Sequence, residues 1–163
     1  MKHTISILVE NEFGALTRIA GLFSGRGYNI ESLVVAPTLD ESVSRMTINT
    51  TGDERAVEQI IKQLNKLVHV VKVKDVTLDE PLIRNLALFK VNLNARNKDK
   101  LKRILKPFDA KVISADDKCS VVQFVGNDES LNKAIEVLKP YGVMEYVSTG
   151  SVAMQQGKKV IKA

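Results

Sequence analysis

The chain lacks tryptophan, has one cysteine and four prolines, and draws only 5% of its 163 residues from the aromatic types. The single thiol, Cys119, excludes an internal disulfide and suits a reducing compartment. No apolar run is long enough to span a bilayer. Met1 and Lys2 lead straight into a strand pattern without a signal-peptide core, so the expectation is a soluble, cytoplasmic protein with no membrane partner. His3 and His69 have no ligand-spaced neighbour, which points away from a metal centre. Asp116–Asp117 lies between two strand patterns and reads as turn chemistry, and Cys119 has no nearby base to activate it. No residue is assigned a catalytic role.

With few rings available, the cores must be built from Ile, Leu and Val, and 44% hydrophobic content supports compact folding. Small cores bury too little surface to be comfortably stable alone, so pairing with another chain is expected. The net charge of +5 is unevenly spread. Residues 1–80 carry 9 Lys/Arg against 11 Asp/Glu, whereas residues 81–163 carry 15 against 8. A basic half can mean nucleic acid, an anionic surface or simply a solvated lysine face.

The apolar pattern changes period several times. Ile5, Ile7 and Val9 alternate as a half-buried strand, and Leu16, Ile19, Ala20 and Phe23 then recur at helical spacing. Gly25 and Gly27 stop that helix. Ile30, Leu33 and Val35 form a second strand ending at Pro37, the 38–42 segment a polar turn, and Met46 and Ile48 a third strand. Asp53 is an N-cap for a helix through Val57, Ile60, Ile61 and Leu64, and Val71 and Val73 close the unit. The Asp79–Glu80–Pro81 turn breaks the pattern, after which the same order recurs. Leu86 and Leu88 read as a strand, and Leu101, Ile104, Leu105 and Phe108 as a helical stripe. Val112–Ile113 and Val121–Phe124 are two further strands, Leu131 to Leu138 a helix and Val143–Val147 a last strand. The expected fold class is α+β: two ferredoxin-like βαββαβ domains, residues 1–79 and 80–163, each an antiparallel sheet with both helices on one face. The other face of the first sheet would then be bare, apolar and available for contact. The tail from Gln155 onward, polar and basic, is expected to be flexible.

The most informative stretch is the turn from the first strand into the first helix. Gly14 lets a ligand approach the main chain, and the amides that follow are unpaired donors in a field that favours an anion. Asn11 and Asn29 end or begin the strands flanking that helix and offer neutral acceptors and donors. Such a corner suits a small zwitterion such as an amino acid: amides for the carboxylate, amide oxygens for the ammonium.

The run Val9-Glu10-Asn11-x-x-Gly14-x-Leu16-x-Arg18-Ile19-x-Gly21-Leu22-Phe23-x-x-Arg26-Gly27-Tyr28-Asn29-Ile30-Glu31-Ser32-Leu33 resembles the start of the small, regulatory subunit of acetolactate synthase (acetohydroxyacid synthase). The likeness continues through Val35-Ala36-Pro37-Thr38, Ser44-Arg45-Met46-Thr47 and Gln59-Ile60-x-Lys62-Gln63-Leu64. The resemblance implies an N-terminal ACT domain that dimerises and binds valine or a related branched-chain amino acid at the dimer interface. It places Asn11, Gly14 and Asn29 as effector contacts, with Ala15, Leu16 and Ile30 as backbone or apolar wall. It also implies a large catalytic subunit as partner, holding thiamine diphosphate, Mg²⁺ and usually FAD, with no cofactor in this chain. The small subunit would raise that partner's activity and confer feedback inhibition. The second half departs from the family pattern at Asn85, at Ser148-Thr149-Gly150 and at Gln155-Gln156-Gly157, where two basic residues usual in the family are missing.

Two other readings fit the same element order. An ACT-type amino-acid sensor of a different partner would carry the same corner. An RNA-recognition module would stack bases on aromatics of its central strands, yet Val43 to Thr50 has none.

Overall fold

The computed structural model describes residues 1–93 and 98–162. Ala163, the last residue of the expected tail, lies outside the described residues. The elements run β1 (Lys2–Glu10), α1 (Ala15–Gly25), β2 (Ile30–Pro37), β3 (Val43–Thr51), α2 (Glu54–Leu64) and β4 (Val70–Asp75). They continue with β5 (Leu82–Val91), α3 (Lys98–Leu105), β6 (Lys111–Ala115), β7 (Ser120–Gly126), α4 (Asp128–Leu138) and β8 (Val143–Met154). The strands form two four-stranded sheets, β2-β3-β1-β4 and β6-β7-β5-β8, so the expected α+β, twice-repeated ferredoxin-like fold is what the chain adopts. Among the described residues no helix is long and apolar enough to cross a membrane.

The first core follows directly from strand and helix periodicity. Ile5, Ile7 and Val9 of β1 share one face with Met46 and Ile48 of β3, through the pairs Ile5↔Ile48 and Ile7↔Met46. That face receives Ala15, Ile19 and Phe23 from α1 and Val57, Ile60 and Leu64 from α2. Each fully buried large side chain contributes about 1.5–3 kcal/mol relative to exposure. In the second core, Ala87, Phe89 and Val91 of β5 and Val122 and Phe124 of β7 meet Leu101, Leu105, Leu131, Ala134 and Leu138 from the helices.

Three details differ from the sequence pattern. Val73 is buried but Val71 is exposed, because a bulge interrupts the β1–β4 ladder: Leu8 pairs with Lys72 and Val9 with Val70, so Val71 is the extra residue. Phe108 does not extend α3. Pro107 cannot continue the helix, which ends at Leu105 and gives way to a single 3-10 turn. Finally, the helix-free face of the first sheet is not bare, and beside the apolar Leu8, itself buried, it carries a polar cluster. Thr4, Ser6, Thr47 and Asn49 on that face are all buried, and Thr4 Oγ1 donates to Asn49 Oδ1 (2.8 Å) while Asn49 Nδ2 donates to Ser32 Oγ (2.7 Å).

The chain divides into two compact units, Met1–Leu82 with Ser151–Ala163, and Ile83–Gly150. The expected boundary after Asp79 lies close to this division, but the end of the chain groups with the first unit and not with the second. Polar clips account for this. Arg45 Nη2 donates to the Ala153 carbonyl (3.0 Å), Gln155 Nε2 and Lys159 Nζ donate to Asp79 (2.6 and 2.9 Å), and Gln156 Nε2 donates to the Glu80 carbonyl (2.8 Å). Lys74 binds the same carboxylate at 2.9 Å. Hydrogen bonds from Lys74 and Lys159 hold the Asp79 carboxyl down at about 2.

A carboxyl depressed in the folded state stabilises above the ordinary range near pH 4, and that contribution disappears as pH falls through the folded value. The Asp79 carboxyl carbon should therefore titrate near pH 2 by NMR; a midpoint near 4 would show that the clip does not form. At neutral pH, Asp79→Asn should speed tryptic cleavage at Lys158 and Lys159 several-fold, and an unchanged rate would likewise show that Asp79 does not hold the end of the chain.

Candidate functional site

Gly14 takes the left-handed conformation (φ 80°) at the start of α1, where no side chain caps the helix and no acidic residue sits in the first turn. The other helices with described starts are closed by side chains: Asp53 Oδ1 accepts from the Ala56 amide (2.7 Å), and Asn127 Oδ1 accepts from the Ser130 amide (2.9 Å). In α1 the Ala15 amide reaches the Glu12 carbonyl (3.2 Å) and the Arg18 amide the Gly14 carbonyl (3.0 Å). The first-turn amides between them face outward with the positive end of the helix dipole, a setting for a carboxylate. A Cβ at Gly14 would meet nothing within 4 Å, so the space beside it is open.

Asn11 is anchored at the same corner. Its amide donates to the Ser42 carbonyl (2.7 Å) and its Nδ2 to the Glu41 carbonyl (3.1 Å), which ties the β1–α1 turn to the β2–β3 turn. That second turn is itself pinned by Asp40, whose carboxyl is held below its usual range by the Ser42 hydroxyl and amide. With Nδ2 committed, Asn11 keeps its Oδ1 available as an acceptor. Glu10 and His69 pair beside the corner (2.9 Å).

Around this corner stand four exposed apolar side chains, two of which, Phe13 and Leu39, sequence periodicity did not single out. Phe13 and Leu39 are fully exposed (101% and 107%), Leu16 is 43% exposed, and Val35 near the end of β2 is 40% exposed. Phe13 and Leu39 lie in turns and gave no periodic signal, whereas Leu16 belongs to the helical stripe and Val35 to the strand pattern. The one available cue was an apolar residue inside an otherwise polar turn.

Of the six expected site residues, Asn11, Gly14, Ala15 and Leu16 come together, with Ala15 buried as the first core residue of α1. Asn29 and Ile30 do not join them within one chain. β2 runs parallel to β1 across β3: Ile30 lies opposite Thr50, level with His3, whereas Pro37 lies opposite Ser44, level with Val9. At a rise of about 3.3 Å per residue, the start of β2 is about 20 Å from the Asn11 end of the sheet. The Asn29 carbonyl accepts from Thr50 Oγ1 (2.7 Å), and its exposed side chain sits at the far end of an edge strand. The expectation that both asparagines line one corner of a single chain is therefore corrected by strand direction.

Residues 5–72 match the family described as AHAS small subunit-like ACT domain, and residues 84–157 match the small subunit of acetolactate synthase. The chain belongs to the acetolactate synthase small-subunit family. It is 40% identical over 159 residues to the probable acetolactate synthase small subunit of Archaeoglobus fulgidus, covering 98% of this chain and 99% of that one. It is 41% identical over 162 residues to the acetolactate synthase small subunit of Haemophilus influenzae, covering 99% of each. The crystal structure of the acetolactate synthase small subunit from Thermotoga maritima superposes with a TM-score of 0.87 at 32% identity, covering 98% of this chain and 99% of that one. The small-subunit family membership thus spans both units, and the divergent positions in the second half do not remove it. Among the described residues, no group of three or more His, Cys, Asp or Glu side chains could hold a metal ion.

The left-handed Gly14 can be tested by itself. Gly14→Ala should lower unfolding stability by about 1–2 kcal/mol, the cost of a Cβ in that conformation, with no further penalty because the space is open. Urea denaturation should give that value; no loss would show that Gly14 relaxes to a negative φ.

Proposed function

We propose that this chain is the regulatory subunit of an acetolactate synthase, activating a large catalytic subunit and conferring feedback inhibition by valine or a related branched-chain amino acid. The catalytic partner would carry thiamine diphosphate, Mg²⁺ and usually FAD, while this chain contributes binding and not chemistry. The observation that carries the reading is the uncapped start of α1 at Gly14, open to solvent and ringed by exposed apolar side chains. A zwitterion suits it: the carboxylate on first-turn amides, the ammonium on amide oxygens, the branched side chain against carbon. A neutral site of this kind avoids the penalty of burying an unpaired charge.

The separation of Asn11 from Asn29 favours a site shared by two copies. β2 is an edge strand. Two β2 edges related by a two-fold axis run antiparallel, so the beginning of one faces the end of the other. That pairing carries Asn29 and Ile30 of the partner subunit to the Val35–Pro37 end of the first chain, beside its Asn11–Leu16 corner. Phe13, Val35 and Leu39 would be covered in the same step, and the bound effector would report on the geometry of the dimer. A coupling of about 1–3 kcal/mol between such a site and the catalytic subunit is the usual size for allostery and is enough for several-fold inhibition.

Subunit mixing tests both parts of this reading. Gly14→Asp places a carboxylate where the effector's own would sit, and Asn29→Ala removes the contact from the other chain; each variant alone should lose valine binding by calorimetry and valine inhibition of the reconstituted holoenzyme. Refolded together at equal amounts, the two variants should recover about a quarter of the wild-type sites, because each mixed dimer holds one intact composite site. No recovery on mixing would contradict the shared site, and full inhibition in Gly14→Asp would remove the corner from the mechanism.

A further inference from the structure

A cavity of about 190 Å³ opens in the first unit between the sheet and the end of the chain, with Arg45, Lys159, Met154, Val160 and Ile161 among its lining residues. Arg45 sits opposite Leu8 in the β1–β3 ladder, on the helix-free side of the sheet. Among the described residues its half-buried guanidinium makes one hydrogen bond, from Nη2 to the Ala153 carbonyl at 3.0 Å. No carboxylate pairs with it among the described residues. Burial pulls this guanidinium below its ordinary range, with no acidic neighbour acting in the opposite direction. Arginine remains charged in such surroundings and presents five donors in a planar fork, most of them here without an acceptor.

The charge around it is positive as well. Lys159 lines the same cavity, and its ammonium shares the single carboxylate of Asp79 with Lys74. Two ammonium groups on one carboxylate, added to an unpaired guanidinium, leave a local surplus of positive charge that an anion would neutralise. The remaining walls are the aliphatic Met154, Val160 and Ile161 together with Gln155 and Gly157. A half-buried guanidinium without an acid has lost part of its hydration, and an anion can take the place of the water it has lost.

We propose that this cavity binds a small aliphatic carboxylate, its anionic end on the Arg45 guanidinium and its hydrocarbon against Met154, Val160 and Ile161. The site is independent of the effector corner, since neither Gly14 nor Asn29 contributes to it. Because the walls belong to the segment 151–162, an occupied cavity fastens that segment to the sheet and adds to the Asp79 clip.

The test uses isovalerate, which has a branched hydrocarbon and a carboxylate but no ammonium, titrated into the full-length protein by calorimetry and by NMR of the arginine side-chain resonances. Saturable binding that shifts the Arg45 signal and slows tryptic cleavage at Lys158 and Lys159 is the expected result. Arg45→Gln should weaken binding at least tenfold, Arg45→Lys less, and Gly14→Asp not at all. Should Arg45→Gln unfold, Val160→Asp serves instead: that side chain is exposed, and the added carboxylate would repel the ligand to the same extent. Absence of isovalerate binding, or equal binding by the wild type, Arg45→Gln and Val160→Asp, would overturn the proposal. Inorganic phosphate binding as tightly as isovalerate would overturn the aliphatic part of the assignment.

Discussion

Strand direction is the constraint on which the functional geometry depends. In a βαββαβ unit the first and second strands lie parallel on either side of the third, so the end of β1 and the start of β2 occupy opposite ends of the sheet. Asn11 and Asn29 are close in sequence and separated in one folded chain by most of a strand length. No rearrangement short of unfolding changes this. A site that uses both residues has to be completed from outside the chain, and an effector held there senses how two chains meet.

The helix that opens this site is less well closed than its neighbours. α2 and α4 each begin with a side chain that accepts an amide, a feature worth about 1 kcal/mol per helix. α1 begins with Gly14 in a left-handed conformation and no cap at all. That missing cap costs stability and leaves donors available to a ligand. The exposed Phe13, Leu16 and Leu39 repeat the same compromise in apolar surface, since an isolated chain gains nothing by presenting them to water. Opposite these, the end of the chain closes the helix-free side of the unit through Arg45, Gln155 and Lys159, contacts made of hydrogen bonds and ion pairs more than of buried carbon.

Much of the fold was legible because the repeating elements are periodic. Ile5, Ile7 and Val9 fixed one strand face, Ile19 and Phe23 one helix face, and Asp53 marked a helix start that the structure uses. Bulges and long-range returns left no such trace. The extra residue at Val71 obeys strand alternation in sequence and violates it in space, because the ladder with β1 slips by one at Leu8 and Val9. The polar, basic end of the chain looked like a solvated tail since its partners, Asp79, Glu80 and Arg45, lie far away in sequence. At the site, Gly14 and its amides could be read locally. Asn29 joins them in the sequence reading because it opens the strand that follows the helix, and only strand pairing shows that the two asparagines cannot meet within one chain.

The most direct measurement is a crystal structure of the protein grown with valine. The account predicts one valine per chain at the interface of two β2 edges, its carboxylate within hydrogen-bond distance of the first-turn amides after Gly14 in one subunit and its ammonium against Asn29 of the partner subunit. Valine held by residues of a single chain, or a Gly14 corner filled by the protein's own side chains, would contradict it.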